Sequence, residues 1–238
     1  MTAGNKKILV IDFTNFEDYP IGGYLSFARN LIASFDGDLA LVGIVTERNE
    51  PVGKWFSKEI KGTVYNFFAI ARYEKTRTKH AIPDRLMCFF LLRYYKSRIL
   101  KPEYKNVFIQ RQEILPAIKN FGFRNICYRF PGLENPLQIS KYRFGRYLAK
   151  AFEKMFFNSI GNVNIILASG DEAAINDMIN RSGGKVNRGS VIKFPTRINT
   201  DIYKPGNKED ARRILKIPAG ETVVVTTGRL TALKGWRF

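Results

Sequence analysis

Arginine, lysine and glycine meet in the segment Gly228-Arg229-Leu230-Thr231-Ala232-Leu233-Lys234-Gly235. A glycine just beyond a strand lets backbone approach a ligand, and an arginine with a lysine can neutralise a diphosphate. By residue type alone, Arg229 and Lys234 are equally two solvated charges. Gly22-Gly23 stands between an apolar run and a helical one. It is either a turn that needs positive φ or a loop that faces a ligand. Asp12, Asp171 and Glu172 are the carboxylates placed beside carboxyl ends of strands, with a loop or helix-cap hydrogen bond as the alternative for Asp12. The single histidine, His80, and the two cysteines, Cys88 and Cys127, cannot build a histidine cluster or a cysteine-rich zinc site. The cysteines sit far apart in apolar surroundings and read as buried, reduced thiols. His80 lies in a basic loop and reads as solvated, with contact to an acceptor phosphate as the alternative.

These residues need a scaffold, and the hydrophobic pattern supplies one. Lys6 to Phe13 is a short β-branched run that reads as a buried parallel strand. Tyr24 to Phe35 carries Leu25, Ala28, Leu31, Ile32 and Phe35 at helical spacing. Asp38 to Thr46 reads as a strand again. Strand, glycine loop, helix and strand make a βαβ unit, which predicts an α/β, doubly wound, Rossmann-like parallel sheet. The alternation continues. Strands are expected at Val64 to Ala71, Asn106 to Gln110, Asn125 to Phe130, Asn164 to Ala168 and Val191 to Phe194. Helices are expected at Pro83 to Leu100, Glu113 to Asn120, Arg143 to Asn158 and from Ser169 onward. Residues 1–203 read as one domain. Lys204-Pro205-Gly206 breaks the pattern, and 204–238 reads as a linker leading into a second domain. There Asn207 can cap a helix through Leu215, and Thr222 to Thr227 reads as a strand.

Charge narrows the partners. The chain holds 39 basic and 21 acidic residues, a net charge of +18. Such a field attracts phosphorylated substrates, anionic lipid surfaces or polyanions. Residues 72–105 hold ten basic and three acidic residues around the apolar run Leu86 to Leu92. That stretch is either a basic, aromatic helix resting on an anionic membrane or a core helix with basic ends. Lys141 to Lys154, with Tyr142, Phe144 and Tyr147 interleaved, is a second such stretch. No recognised nucleic-acid motif accompanies them, which ranks nucleic acid below the other partners. No segment has the roughly 18 uninterrupted apolar residues of a spanning helix. No signal-peptide pattern precedes the first strand. The expected location is cytoplasmic, extending to a peripheral place on the inner face of a membrane.

Four segments in order carry a family resemblance: Gly22-Gly23, Phe194 to Pro205, Ala211 to Pro218, and Gly228-Arg229-Leu230 through Lys234-Gly235. They resemble the family 4 glycosyltransferases, retaining enzymes of the GT-B fold, whose matching stretches run close to pNGVDtdxFxP, aRxxLgip and vGRLxxxKG. The resemblance is dense from Val191 to Trp236 and ordered over the rest. It implies that this chain is the first half of a GT-B architecture and ends just inside the donor-binding domain. It also implies that Gly22 and Gly23 lie near donor phosphates and acceptor, and that Arg229 and Lys234 contact the donor diphosphate. The co-substrate is then a nucleotide-diphosphate sugar, with no metal and no other cofactor. The acceptor is a saccharide or a lipid-linked one.

The departures are as informative. Where relatives carry His-Gly, this chain reads Arg129-Phe130-Pro131-Gly132-Leu133-Glu134-Asn135. The histidine is absent, and Arg129 or Glu134 stand as its replacements. Thr196-Arg197 replaces the usual Asn-Gly. The family's nucleotide pocket and its paired glutamates would follow Phe238, so the 238-residue chain by itself is expected to show no sugar transfer. The strand at Thr222 to Thr227 is expected to pack poorly or to borrow an edge. A non-catalytic basic module that binds anionic membrane or polyanion is the alternative function. An epimerase sharing the two-domain plan is a third.

Overall fold

Short runs of Val, Ile, Leu and Phe build the middle of one sheet. The computed structural model describes residues 8–35, 38–75, 82–132, 135, 137–138, 144–195, 200 and 203–225. The chain divides into two units, Met1–Pro195 and Thr196–Phe238.

In the first unit, β1 (Ile8–Ile11) leads through a loop to α1 (Gly23–Ala33) and back to β2 (Leu39–Val45). A hairpin follows, β3 (Trp55–Ile60) and β4 (Thr63–Arg72), joined by the two-residue turn Lys61-Gly62. Then come α2 (Asp84–Tyr94), α3 (Lys96–Ile99), β5 (Asn106–Ile109), α4 (Ile114–Ile118), β6 (Asn125–Phe130), α5 (Gly145–Ile160), β7 (Ile165–Ala168), α6 (Glu172–Arg181) and β8 (Val191–Lys193). The eight strands order as β3-β4-β2-β1-β5-β6-β7-β8, all parallel except the β3–β4 pair. This is a doubly wound α/β sheet of Rossmann-like plan. Its two faces bury separate cores. Leu9 and Ile11 pack with Cys88 and Leu92 of α2, Phe156 and Ile160 of α5, and Ile175 and Met178 of α6. Val10 packs on the other face with Ala28 and Ile32 of α1.

The winding direction reverses at one place. From β1 the chain moves outward through β2 to β4, then returns to add β5 on the far side of β1. In open α/β sheets a ligand crevice opens where the order reverses, beyond the carboxyl ends of the strands. Here that is the gap between β1 and β5.

Several expectations need correction. The edge strand β3 escaped the reading because Trp-Phe-Ser-Lys-Glu-Ile lacks clean apolar alternation. Its Lys58 is 6% exposed, and its ammonium is paired with Glu17 at 2.9 Å and with Glu50. Burial opposes that charge, but the two carboxylates more than offset it and hold the Lys58 pKa above its ordinary value. The helix expected over Pro83 to Leu100 is broken at Tyr95 into α2 and α3. The one expected over Glu113 to Asn120 is the short, wholly buried α4. In the second unit, Asn207 caps α7 (Lys208–Ile214) by accepting from Glu209 and Asp210 N–H, as its acidic first turn suggests. Of the strand expected at Thr222 to Thr227, the described residues 222–225 form none, and Val224 is 92% exposed.

Gly43 sits where β2 and β4 slip register. A Cβ there would collide with the backbone carbonyl of Thr14 and come within 2.8 Å of the Phe16 ring and 3.1 Å of Phe67. Gly43→Ala is therefore expected to destabilise the fold by about 1–3 kcal/mol through overpacking, read as a lower urea midpoint at unchanged slope.

Candidate functional site

Polar residues follow directly on the two strands that flank the reversal: Asp12 after β1 and Gln110-Arg111-Gln112-Glu113 after β5. All five are buried. A buried carboxylate must be paired and hydrogen-bonded, and Asp12 is fully engaged. Its Oδ1 accepts from Phe13 N–H at 2.8 Å and from Arg111 Nε at 2.5 Å, and its Oδ2 accepts from Gln110 Nε2 at 2.8 Å. Arg111 also donates to the Phe13 carbonyl at 3.3 Å, lies 4.5 Å over the Tyr24 ring, and stands 3.8 Å from Glu113. Burial works against the Arg111 charge. Asp12 and Glu113 outweigh it and raise the guanidinium above its ordinary pKa. Burial, with Glu113 adding to it, also raises the Tyr24 hydroxyl.

Gln110 ties this pair to the first helix. The same Nε2 donates to the Tyr24 carbonyl at 2.8 Å, so the opening turn of α1 is held against the carboxyl end of β5. The β1–α1 loop is fixed from within by Asn15, whose Oδ1 accepts from Glu17, Asp18 and Tyr19 N–H. The loop ends at Gly22, with φ 158° and ψ −179°, a conformation that favours glycine. A Cβ on Gly22 or Gly23 would meet nothing within 4 Å. Both glycines therefore border open space. α1 has no side-chain cap and no acidic residue in its first turn. Its first N–H groups therefore have no side-chain cap, the kind of helix end that suits an anion.

Arg129 completes the arrangement. It is 8% exposed in β6, lies 4.2 Å over the Phe27 ring of α1 and donates to Gln110 Oε1 at 3.5 Å. Its Nε has no hydrogen-bond partner, and among the described residues no carboxylate pairs with it. Burial accordingly lowers its pKa. The two guanidiniums thus differ: Arg111 is ion-paired within the fold, and Arg129 pairs with no carboxylate among the described residues.

Four further buried polar atoms lack hydrogen-bond partners among the described residues: Thr14 Oγ1, Glu113 Oε1, Tyr128 Oη and Ser169 Oγ. With Arg129 Nε, they are spread over four strands and both faces of the sheet: Tyr128 packs on Phe156 of α5, whereas Arg129 lies over Phe27 of α1.

The structure brings together Asp12, Arg129, Gly22 and Gly23. Asp171 and Glu172 lie apart, after β7. Asp171 caps α6 by accepting from Ala174 N–H at 2.8 Å, and Glu172 pairs with Arg188 at 3.3 Å. Both are exposed. Arg229, Lys234, Glu134 and His80 lie outside the described residues. Cys88 is buried and Cys127 half-buried. Burial pushes Cys88 well up and Cys127 up to about 11, which disfavours the thiolate of both. Among the described residues no group of histidine, cysteine and carboxylate side chains could hold a metal. The reading of residue types missed Arg111 and Gln110. The run of polar residues directly after an apolar strand was the available signal.

No protein-family model and no curated protein matches the chain. Two solved structures resemble it in fold only weakly. One is described as trehalose-6-phosphate from E. coli bound with UDP-2-fluoro glucose, at 10% identity and TM-score 0.41, covering 73% of this chain and 42% of that one. The other is the catalytic domain of starch synthase IV from Arabidopsis thaliana bound to ADP and acarbose, at 10% identity and TM-score 0.48, covering 91% and 60%. The chain therefore spans less than two thirds of either structure. The fold assignment stands on strand order, not on these likenesses.

The contrast between the two arginines has a stability signature. Arg111→Met leaves Asp12 buried without its cation and is expected to cost about 3–5 kcal/mol. Arg129→Met removes a cation that pairs with no carboxylate among the described residues and is expected to leave stability within about 1 kcal/mol of the parent or raise it. Urea unfolding of both variants checks this. Equal losses would contradict it.

Proposed function

We propose that the protein is a retaining glycosyltransferase of the family 4 type, with this chain supplying the first, acceptor-side half of a GT-B architecture. The observation that carries the reading is the uncompensated cation Arg129 beside the uncapped first turn of α1, at the reversal point of the sheet. A buried cation stacked on Phe27 of α1, and the uncapped first turn of the same helix, suit a phosphate-bearing ligand. The resemblance of Val191 to Trp236 to the family's motifs supplies the identity of that ligand, a nucleotide-diphosphate sugar.

In this proposal the α1 N–H groups and Arg129 bind anionic oxygen near the reaction centre. Arg129 takes the place at which relatives hold histidine. Asp12 and Arg111 do not touch substrate. Through Gln110 they hold α1 in position. By the family resemblance, Arg229 and Lys234 neutralise the donor diphosphate as the sugar leaves. The acceptor is a saccharide or a lipid-linked molecule. Asp171 and Glu172, engaged within the fold, are at most peripheral to it. The proposed place of action is cytoplasmic, peripheral to a membrane. Among the described residues no helix is long and apolar enough to cross one.

A second reading, an anionic-surface binding module, is favoured by one observation. Phe90, Tyr94 and Tyr147 are 58%, 72% and 88% exposed among the cations of α2 and α5. The two readings are compatible if the acceptor resides in the membrane.

The test is acceptor-dependent release of nucleoside diphosphate from a panel of nucleotide sugars, with the product's anomeric configuration read by NMR, on protein expressed from its complete coding sequence. The expected result is release from one donor class with the anomeric configuration retained, and kcat/KM at least about tenfold lower in Arg129→Met. A folded protein that releases diphosphate from no donor, or a product of inverted configuration, would overturn the reading.

A further inference from the structure

The loop between β1 and α1 is held in a conformation that its own residues disfavour. Phe16 has φ 65°, in the left-handed region that bulky side chains avoid. Its ring is fully buried and meets Phe67 of β4 edge to face at 6.0 Å. Such a backbone persists only where its surroundings fix it. Here the residues on both sides of Phe16 are pinned. Asn15 binds the loop to itself, its Oδ1 accepting from the N–H groups of Glu17, Asp18 and Tyr19 and its own N–H donating to the Tyr19 carbonyl at 2.8 Å. Glu17 instead reaches out of the loop to Lys58 of β3, at 2.9 Å.

Lys58 occupies a place where the sheet would ordinarily take an apolar residue. Phe56 and Ile60, its neighbours on the same face of β3, belong with Phe16 and Phe67 to one apolar cluster. The ammonium lies 5.5 Å from the centre of the Phe67 ring. A buried ammonium needs a carboxylate. Lys58 has two, and they come from different places. Glu50, in the β2–β3 loop, is tied to the sheet: Arg72 of β4 donates to its carbonyl, and its Oε2 accepts from Glu47 N–H at 3.4 Å. Glu17 belongs to the β1–α1 loop, and its side chain is 40% exposed. The Lys58–Glu50 pair is therefore an anchor on the sheet, and Glu17 is the arm by which the loop holds it. A second ion pair of the loop, Asp18 with Lys75 at 2.8 Å, is exposed at both ends and contributes little.

Past Glu17 the chain runs through Asp18-Tyr19-Pro20-Ile21 into Gly22 and the uncapped first turn of α1. Gln110 holds that turn from one side, at the Tyr24 carbonyl. We infer that Lys58 is a positioning residue for the anion site, holding the α1 terminus from the other side by gripping Glu17. Lys58 touches no ligand. It acts by keeping the loop, and the N–H groups that follow it, in one arrangement, so that a bound anion does not have to order them. The inference rests on the anion site of the proposed function and adds to it a residue from the far edge of the sheet.

Two matched variants separate positioning from plain stability. Glu17→Ala and Glu50→Ala each remove one carboxylate and leave Lys58 paired with the other, so the buried charge stays neutralised in both. Only Glu17→Ala frees the loop. Pyrophosphate is titrated by calorimetry, at fixed ionic strength, into the 238-residue parent and each variant. Glu17→Ala is expected to weaken binding about fivefold or more, and Glu50→Ala to stay within about twofold of the parent. Lys58→Met is expected to match Glu17→Ala, and the double variant Lys58→Met/Glu17→Ala to lose no more than either alone, because the same grip is lost in all three. Equal affinities in Glu17→Ala and Glu50→Ala, whether kept or lost together, overturn the inference, as do losses that add in the double variant. A parent that binds no pyrophosphate overturns the anion site, and the inference with it. A parent that binds, with Glu17→Ala binding equally well, removes the role of Lys58 and leaves the anion site standing.

Discussion

The ion pair between Asp12 and Arg111 is the contact on which the site depends. It spans the gap between β1 and β5, the place where the sheet reverses its winding. Its members are 1% and 8% exposed, so neither charge is tolerable without the other. Because Asp12 also receives Gln110, and Gln110 also grips the Tyr24 carbonyl, the pair fixes three things together: the end of β1, the end of β5 and the start of α1. A free helix terminus is useful for binding only if it is held still. The internal pair does that without using the groups a ligand needs.

Arg129 stands outside this pairing. It is buried with no carboxylate paired to it among the described residues, and such burial costs the fold. It lies near the carboxyl end of its strand, the side on which open parallel sheets bind ligands. The cation and the α1 terminus lie on the same face of the sheet.

Much of this was legible in the sequence, and the parts that were not have physical causes. The β1–α1–β2 unit was plain because Ile8–Ile11 and Leu39–Val45 are buried on both faces and so read as continuous apolar runs. Gly22-Gly23 was visible as a loop before a helix, and Asp12 as a carboxylate after a strand. The partner of Asp12 was not, since Arg111 lies 99 positions away and only the strand order makes them neighbours. Lys58 hid β3 for the same reason, its burial being permitted by Glu17 and Glu50 from elsewhere in the chain. The apolar run Leu86 to Leu92 could be core or surface by pattern alone. The structure makes it both, burying Cys88 and Leu92 and exposing Phe90. Arg129 could be singled out by its place in the motif. That it lacks an anion became evident only with its surroundings.

The central claim is that Arg129 and the first turn of α1 form an anion site left open by the fold. Calorimetric titration of pyrophosphate into the parent chain and into Arg129→Met, at fixed ionic strength, addresses it directly. Saturable binding to the parent that weakens about tenfold or more in Arg129→Met, with the variant still folded, is the expected result. Equal affinity in the two proteins, or no saturable binding to the parent, would contradict it.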